Sequence, residues 1–199
     1  MREFQQQGLP TVAAIAEREG RLPGKPTRGA ADTYLRLGQQ ARLQVESRGA
    51  ALPKVEALAL ATSCGLARLP EPSIGDIFLD FEGDPFISPH GLEYLTGVCT
   101  RVESGEIEFK QQWALNAAEE RAAFEDFIDF ALARVQQHPG THIYHFGAYE
   151  PAALKRMMAR HATRGPELDQ LLRGNRFVDL HSVVREAFRI GVERYGLKE

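Results

Sequence analysis

The stretch Ile77-Phe78-Leu79-Asp80-Phe81-Glu82-Gly83 decides the fold of this 199-residue chain. Apart from two acids it is almost wholly apolar, the composition of a central strand buried within a sheet. Residues two apart in a strand point to the same face, so Asp80 and Glu82 project together. Left unpaired inside a buried strand, each carboxylate would cost several kcal/mol. Arginine partners, a raised pKa or a bound cation would each relieve that cost. No neighbouring segment offers a pair of arginines, and oxygen-only donors suit Mg²⁺ and Mn²⁺, so a metal site is the favoured reading.

Outward from this strand, residues 92–102 and 106–115 read as a hairpin joined at Glu103-Ser104-Gly105. An amphipathic helix follows over 118–137, with Phe124, Phe127, Ile128, Ala131, Leu132 and Val135 at three- and four-residue spacing. That period marks these aromatics as core rather than a base-stacking platform. A strand over 141–147, a helix from Tyr149 to His161, a short helix over 167–173, a strand at Phe177-Val178-Asp179-Leu180 and a last helix over 182–189 complete the pattern. The fold class is therefore α/β, a mixed sheet flanked by helices.

Upstream, Leu69-Pro70-Glu71-Pro72-Ser73 blocks helix continuation, which puts a domain boundary there. Residues 1–70 form a small helical segment and residues 71–199 the α/β domain. Thr11 is the expected N-cap of a first helix and Gly20 its stop. A longer helix over 31–47 carries Tyr34, Leu35, Leu37 and Leu43 as a partial apolar stripe. Arg28, Arg36, Arg42 and Arg48 read as a solvated face in preference to a nucleic-acid surface.

Charge and composition narrow the class. Residues 1–70 hold 10 Lys and Arg against 6 Asp and Glu, while the remainder holds 14 against 21. An acidic domain does not bind phosphate backbones by charge alone, but carboxylates that hold cations are themselves counted as negative. Two cysteines, Cys64 and Cys99, have neither metal-ligand nor redox spacing. The N-terminus lacks the pattern of a signal peptide and no apolar run is long enough to span a bilayer, so a cytoplasmic protein without membrane contact is expected.

Two further acids sit at strand-to-helix junctions. Glu150 opens the helix after Tyr144-His145-Phe146-Gly147, where the helix dipole favours a carboxylate and a capping role competes with a functional one. Asp179 stands before the last helix, where an N-cap is the ordinary role. Acids from such positions can converge on one sheet edge, where two cations would activate water and stabilise the leaving oxygen of a phosphodiester. There is no GxSxG elbow, P-loop or GxGxxG to suggest other chemistry. A glycosidase using Glu82 and Glu150 would want aromatic sugar platforms, and Trp113, the sole tryptophan, falls in an expected edge strand.

GDIFLDFEGDPF (75–86), YHFGAYEPAALKRM (144–157), LLRGNRFVDLHSVVREA (171–187) and ERYGLKE (193–199) together resemble the YprB-type, ribonuclease-H-like domain of predicted RecB-family nucleases. The DxE is similar to the first exonuclease motif of the DEDD superfamily, which includes the proofreading domains of family-B DNA polymerases. The resemblance covers residues 71–199. Residues 1–70 look like the helical segment that precedes this domain in long bacterial proteins, where a helicase domain can follow.

The resemblance implies a two-metal 3'-5' exonuclease acting on DNA in preference to RNA, in a DNA-repair setting, with Mg²⁺ or Mn²⁺ held by Asp80, Glu82 and Glu150. Glu150 departs from the usual Asp and its lead-in carries His145 in place of Asn. Asp179 aligns with a recurrent acid that supports the site. His145 and Tyr149 would orient a water or phosphate, and Arg176 and Lys198 are candidate phosphate contacts, although ordinary surface charge is the favoured reading of those two and His145 also suits a hydrogen-bonded core position. The family's last motif, a Tyr or His a few residues before an Asp, is not found by Glu199. A C-terminally truncated domain, weak in metal binding and hydrolysis alone, is therefore expected. The alternative is a non-catalytic nucleic-acid-binding or scaffold module of a larger helicase-nuclease protein.

Overall fold

The computed structural model describes residues 2–26, 29–87 and 89–197, so Arg28 and Lys198 lie outside the described residues. The chain divides into two compact units, 1–67 with 184–199 and 68–183.

In the first unit, α1 (Arg2–Gln6), α2 (Val12–Glu17) and α3 (Ala31–Glu46) gather around Phe4, Leu9, Ile15 and Ala41. Thr11 caps α2 by accepting from the amide of Ala14 at 3.1 Å. Gly20 and Gly38 let the chain after α2 lie directly on α3. A Cβ on Gly20 would stand 2.0 Å from the Tyr34 carbonyl oxygen, and one on Gly38 would stand 1.9 Å from the Gly20 nitrogen. The buried face of α3 therefore runs through Gly38, Ala41 and Leu43, while Leu35 and Leu37 point outward, unlike the stripe the sequence suggests. Arg42 is engaged by Glu46 and Glu56. A small antiparallel pair, β1 (Val55–Ala57) with the strand 188–190, completes this unit.

The second unit is a five-stranded mixed sheet built from β2 (Ile77–Asp84), β3 (Leu92–Arg101), β4 (Ile107–Trp113), β5 (Ile143–His145) and β6 (Phe177–Asp179). The order is β4-β3-β2-β5-β6, with β3 antiparallel to both neighbours and β2, β5 and β6 parallel. Helices α4 (Ala117–Gln137), α5 (Tyr149–His161) and α6 (Gly165–Arg173) pack on one face. Ile77, Leu79 and Phe81 meet Phe124, Phe127 and Ile128 of α4 and Leu154 and Met157 of α5, as the helical spacing requires. Asn116 caps α4 by accepting from the amides of Ala118 and Glu119. Beyond β6 the chain enters α7 (Leu180–Ala187) and then β7 (Phe188–Ile190). The last helix thus stops before Arg189, because 188–190 extends to pair with β1.

One expectation is corrected. β2 is central in the sheet but buried on one face only, since burial alternates strictly from Ile77 to Glu82. Phe78, Asp80 and Glu82 lie on the exposed side, where water solvates the acids. The desolvation penalty inferred from a fully buried strand does not arise. Phe78 hides the alternation in the sequence: it stacks on Tyr144 of β5 at a centroid distance of 5.0 Å, an apolar residue on the polar side.

Candidate functional site

The C-terminal end of β2 and the start of α5 frame a cavity of about 630 Å³, lined by Asp80, Glu82, Tyr149, Glu150, Arg156 and Arg160 among others. Three of the acids singled out from the sequence are therefore brought to one cavity by two elements. Asp80 and Glu82 arrive through the two-residue strand period. Glu150 arrives because β5 runs parallel beside β2 and turns into α5 at the same sheet end.

Glu150 is 4% exposed at the second position of α5, in the favourable field of the helix N-terminus. The N-cap itself is Ala148, which supplies no side-chain cap, so Glu150 does not hold the capping position. Its Oε2 is buried without a hydrogen-bond partner. His145 Nδ1 stands 3.6 Å away, too far for a hydrogen bond. That nitrogen instead lies 2.6 Å from the Gly147 carbonyl, which can only accept, so Nδ1 carries the proton. His145 is thus a buried, hydrogen-bonded residue at the strand end.

Asp179 lies elsewhere. It lines a second, smaller cavity with Arg68, His142 and Asn175 and caps α7 by accepting from the His181 amide at 3.0 Å and the Ser182 hydroxyl. It also accepts from the Gly147 amide at 2.9 Å, fixing the turn that leads into Glu150. Gly147 has φ +100°, a conformation that favours glycine. Burial pushes the Asp179 carboxyl up, but the hydrogen bonds from Ser182 and Gly147 outweigh it and hold the pKa below the ordinary value. Arg176 is occupied too: Nη1 donates to the carbonyls of Pro139 at 2.7 Å and Thr141 at 3.2 Å, pinning β6 to the turn before β5.

Four residues around the cavity were not singled out from the sequence. Glu93 of β3, 6% exposed, accepts from the Tyr149 hydroxyl and from Arg156 Nη2, each at 2.7 Å. Glu120 of α4, 1% exposed, accepts from Arg160 Nη1 at 2.7 and 2.8 Å, from His161 Nε2 at 2.6 Å and from the Glu93 amide at 2.7 Å. Arg160 also donates to the carbonyls of His90 and Gly91, tying the β2–β3 connection to α5. Arginines absent from the local sequence thus reach the cavity from α5, where they meet Glu93 and Glu120. The i, i+4 spacing of Arg156 and Arg160 was the only available signal. Burial, then the hydrogen bond to Glu93, pushes the Tyr149 hydroxyl up to about 12.

Donor chemistry and spacing bear differently on a metal. Carboxylates from two elements around one cavity, one with an orphaned buried oxygen, suit a hard divalent cation. Among the described residues, however, no three His, Cys, Asp or Glu side chains are grouped to hold one.

This mixed sheet, its helical cover and the short helices before it define an α/β protein of the ribonuclease-H-like class. Residues 77–199, well over half of the chain, match the model of the RNase_H_2 family of the RNase_H superfamily. The chain belongs to that superfamily, whose members point to nuclease chemistry on phosphodiesters and usually use divalent metals. No curated protein and no solved structure matches it. Among the described residues, no helix is long and apolar enough to cross a membrane.

Proposed function

We propose that this chain carries a metal-dependent phosphodiester hydrolase domain of the YprB-type, DEDD-like kind, acting as a 3'-5' exonuclease on DNA in preference to RNA. The observation that carries the reading is the buried, unpartnered Oε2 of Glu150 beside a cavity that Asp80 and Glu82 also line. A buried carboxylate oxygen without a donor is costly, and a cation in the cavity would relieve it. Asp80, Glu82 and Glu150 would hold Mg²⁺ or Mn²⁺, which when bound would neutralise phosphodiester charge and acidify a water. Asp80 and Glu82 sit on the exposed face of β2 and line the same cavity as Glu150.

In this reading Asp179 and His145 are positioning residues: they hold the two sides of Gly147, and through it the start of α5. Tyr149 lines the same cavity and would meet substrate there. A cytoplasmic setting, in a larger protein that also carries a helicase domain, fits a nuclease of this kind.

The test is a Mn²⁺ titration followed by thermal unfolding, with hydrolysis of a labelled oligonucleotide measured in parallel. Mn²⁺ should raise the melting temperature of the wild type, and Asp80→Ala should remove both that rise and any hydrolysis. A wild type that neither responds to Mn²⁺ nor cleaves would overturn the proposal. The second reading is a non-catalytic nucleic-acid-binding module, which the lack of a converged acid trio among the described residues favours. Oligonucleotide binding indifferent to Mn²⁺ would decide for it.

A further inference from the structure

We infer that Arg156 is the residue that grips a phosphate of the nucleic-acid substrate, through a guanidinium held at the mouth of the acidic cavity by Glu93 and Tyr149. This deepens the hydrolytic reading above and rests on the same cavity.

The cavity is lined by acids from β2, β3 and α5, so a polyanion needs a cation to approach it. Two arginines are candidates. Arg160 is spent: its side chain is 16% exposed and it serves Glu120, His90 and Gly91 at once. Arg156 keeps 45% of its side chain in solvent and commits Nη2 to Glu93 Oε1 at 2.7 Å. Its guanidinium carbon lies 5.2 Å from the Tyr149 ring centre, so the planar fork is held on an aromatic face as well as by a carboxylate. A fork held by a carboxylate and an aromatic face while nearly half of its side chain stays in solvent is preorganised for a phosphate. Arg176, the described cation that the sequence offers as a candidate phosphate contact, is instead bound to backbone carbonyls outside this cavity.

The experiment is fluorescence anisotropy of a short labelled oligodeoxythymidylate across a salt series, in Ca²⁺. Wild type, Arg156→Gln, Arg156→Lys and Arg173→Gln are compared, Arg173 being an exposed cation on α6 paired with Asp169. Arg156→Gln should weaken binding about tenfold and flatten the logarithmic salt slope by about 0.7, the share of one phosphate contact on a single strand. Arg156→Lys keeps a partner for Glu93 and the charge but loses the fork, so it should fall between the two. Arg173→Gln should match the wild type. A wild type that binds no oligonucleotide, an unchanged Arg156→Gln, or equal losses in Arg156→Gln and Arg173→Gln would each overturn the inference. Binding that depends on Arg156 in a wild type without Mn²⁺-dependent hydrolysis would remove the hydrolytic reading and leave the contact standing. Hydrolysis with Arg156-independent binding would do the reverse.

Discussion

Tyr149 donates its hydroxyl hydrogen to Glu93 at 2.7 Å across the space left by Gly83, where a Cβ would lie 2.1 Å from Glu93 Oε2 and 2.5 Å from the tyrosine oxygen. Gly83 follows Glu82, and Tyr149 precedes Glu150. One hydrogen bond thus ties β3, the neighbour of the strand bearing two acids, to the helix bearing the third, and it passes over Gly83 of that strand. Gly83→Ala should force this pair apart and destabilise the protein by about 1–3 kcal/mol, the range for overpacking a filled site. Tyr149→Phe, which removes the donor without adding bulk, should cost about 1–3 kcal/mol. Urea denaturation measures both, and a Gly83→Ala protein as stable as the wild type would show that the site yields freely.

The same bond sets an alkaline limit. The folded Tyr149 titrates at about 12, above the ordinary tyrosine value near 10. A raised pKa means that the stabilisation is fully present below the unfolded value and is lost as pH rises through the folded one. The stability difference between wild type and Tyr149→Phe should therefore hold constant up to about pH 10 and shrink beyond it. Denaturation midpoints across pH 8–12 would reveal this, and a difference that stays flat would contradict the shift.

Asp179 gives the opposite sign. Its hydrogen bonds depress the folded pKa, so its contribution is present above the unfolded value near 3.9 and disappears as pH falls through the folded one. Asp179→Ala should lose about 1 kcal/mol at neutral pH through the missing cap, and the gap to wild type should close in acid. It should also loosen the Gly147 amide, which hydrogen exchange can follow residue by residue.

How much of this was legible in the sequence depends on the distance between partners. Asp80 and Glu82 could be paired by eye because the strand period is local, and the core of α4 because the helical period is. The one-sided burial of β2 was hidden by Phe78, whose stacking on Tyr144 involves residues 66 positions apart. Glu93 and Glu120 gave no signal, since Glu93 finds its side-chain donors in α5, 56 and 63 residues on, and Glu120 finds Arg160 40 residues on. β1 and β7 are three residues each and pair across more than 130 positions, too short for periodicity to register. Arg176 stayed a candidate phosphate contact because a sequence cannot show that Pro139 and Thr141 already hold it.

Glu120 offers the sharpest test of what holds the cavity's wall. Its carboxylate is buried and receives Arg160, His161 and the Glu93 amide, so every remaining group in the cluster is oriented by this one charge. Removing one partner of a buried pair leaves the other uncompensated, and Glu120→Ala should cost about 3–5 kcal/mol. Glu120→Gln keeps the shape but not the charge. It should fall between wild type and Glu120→Ala, because an amide oxygen can still accept from Arg160 while its NH2 faces a second donor. The consequence reaches the cavity lined by Asp80, Glu82 and Glu150: with Arg160 released, the carbonyls of His90 and Gly91 lose their donor and the β2–β3 connection is freed. Hydrogen exchange at the Glu93 amide should accelerate in Glu120→Gln far more than exchange in α6, which supplies none of the donors to Glu120 named above. Uniform acceleration across both would mean that Glu120 supports global stability alone and does not order the wall beside Asp80 and Glu82.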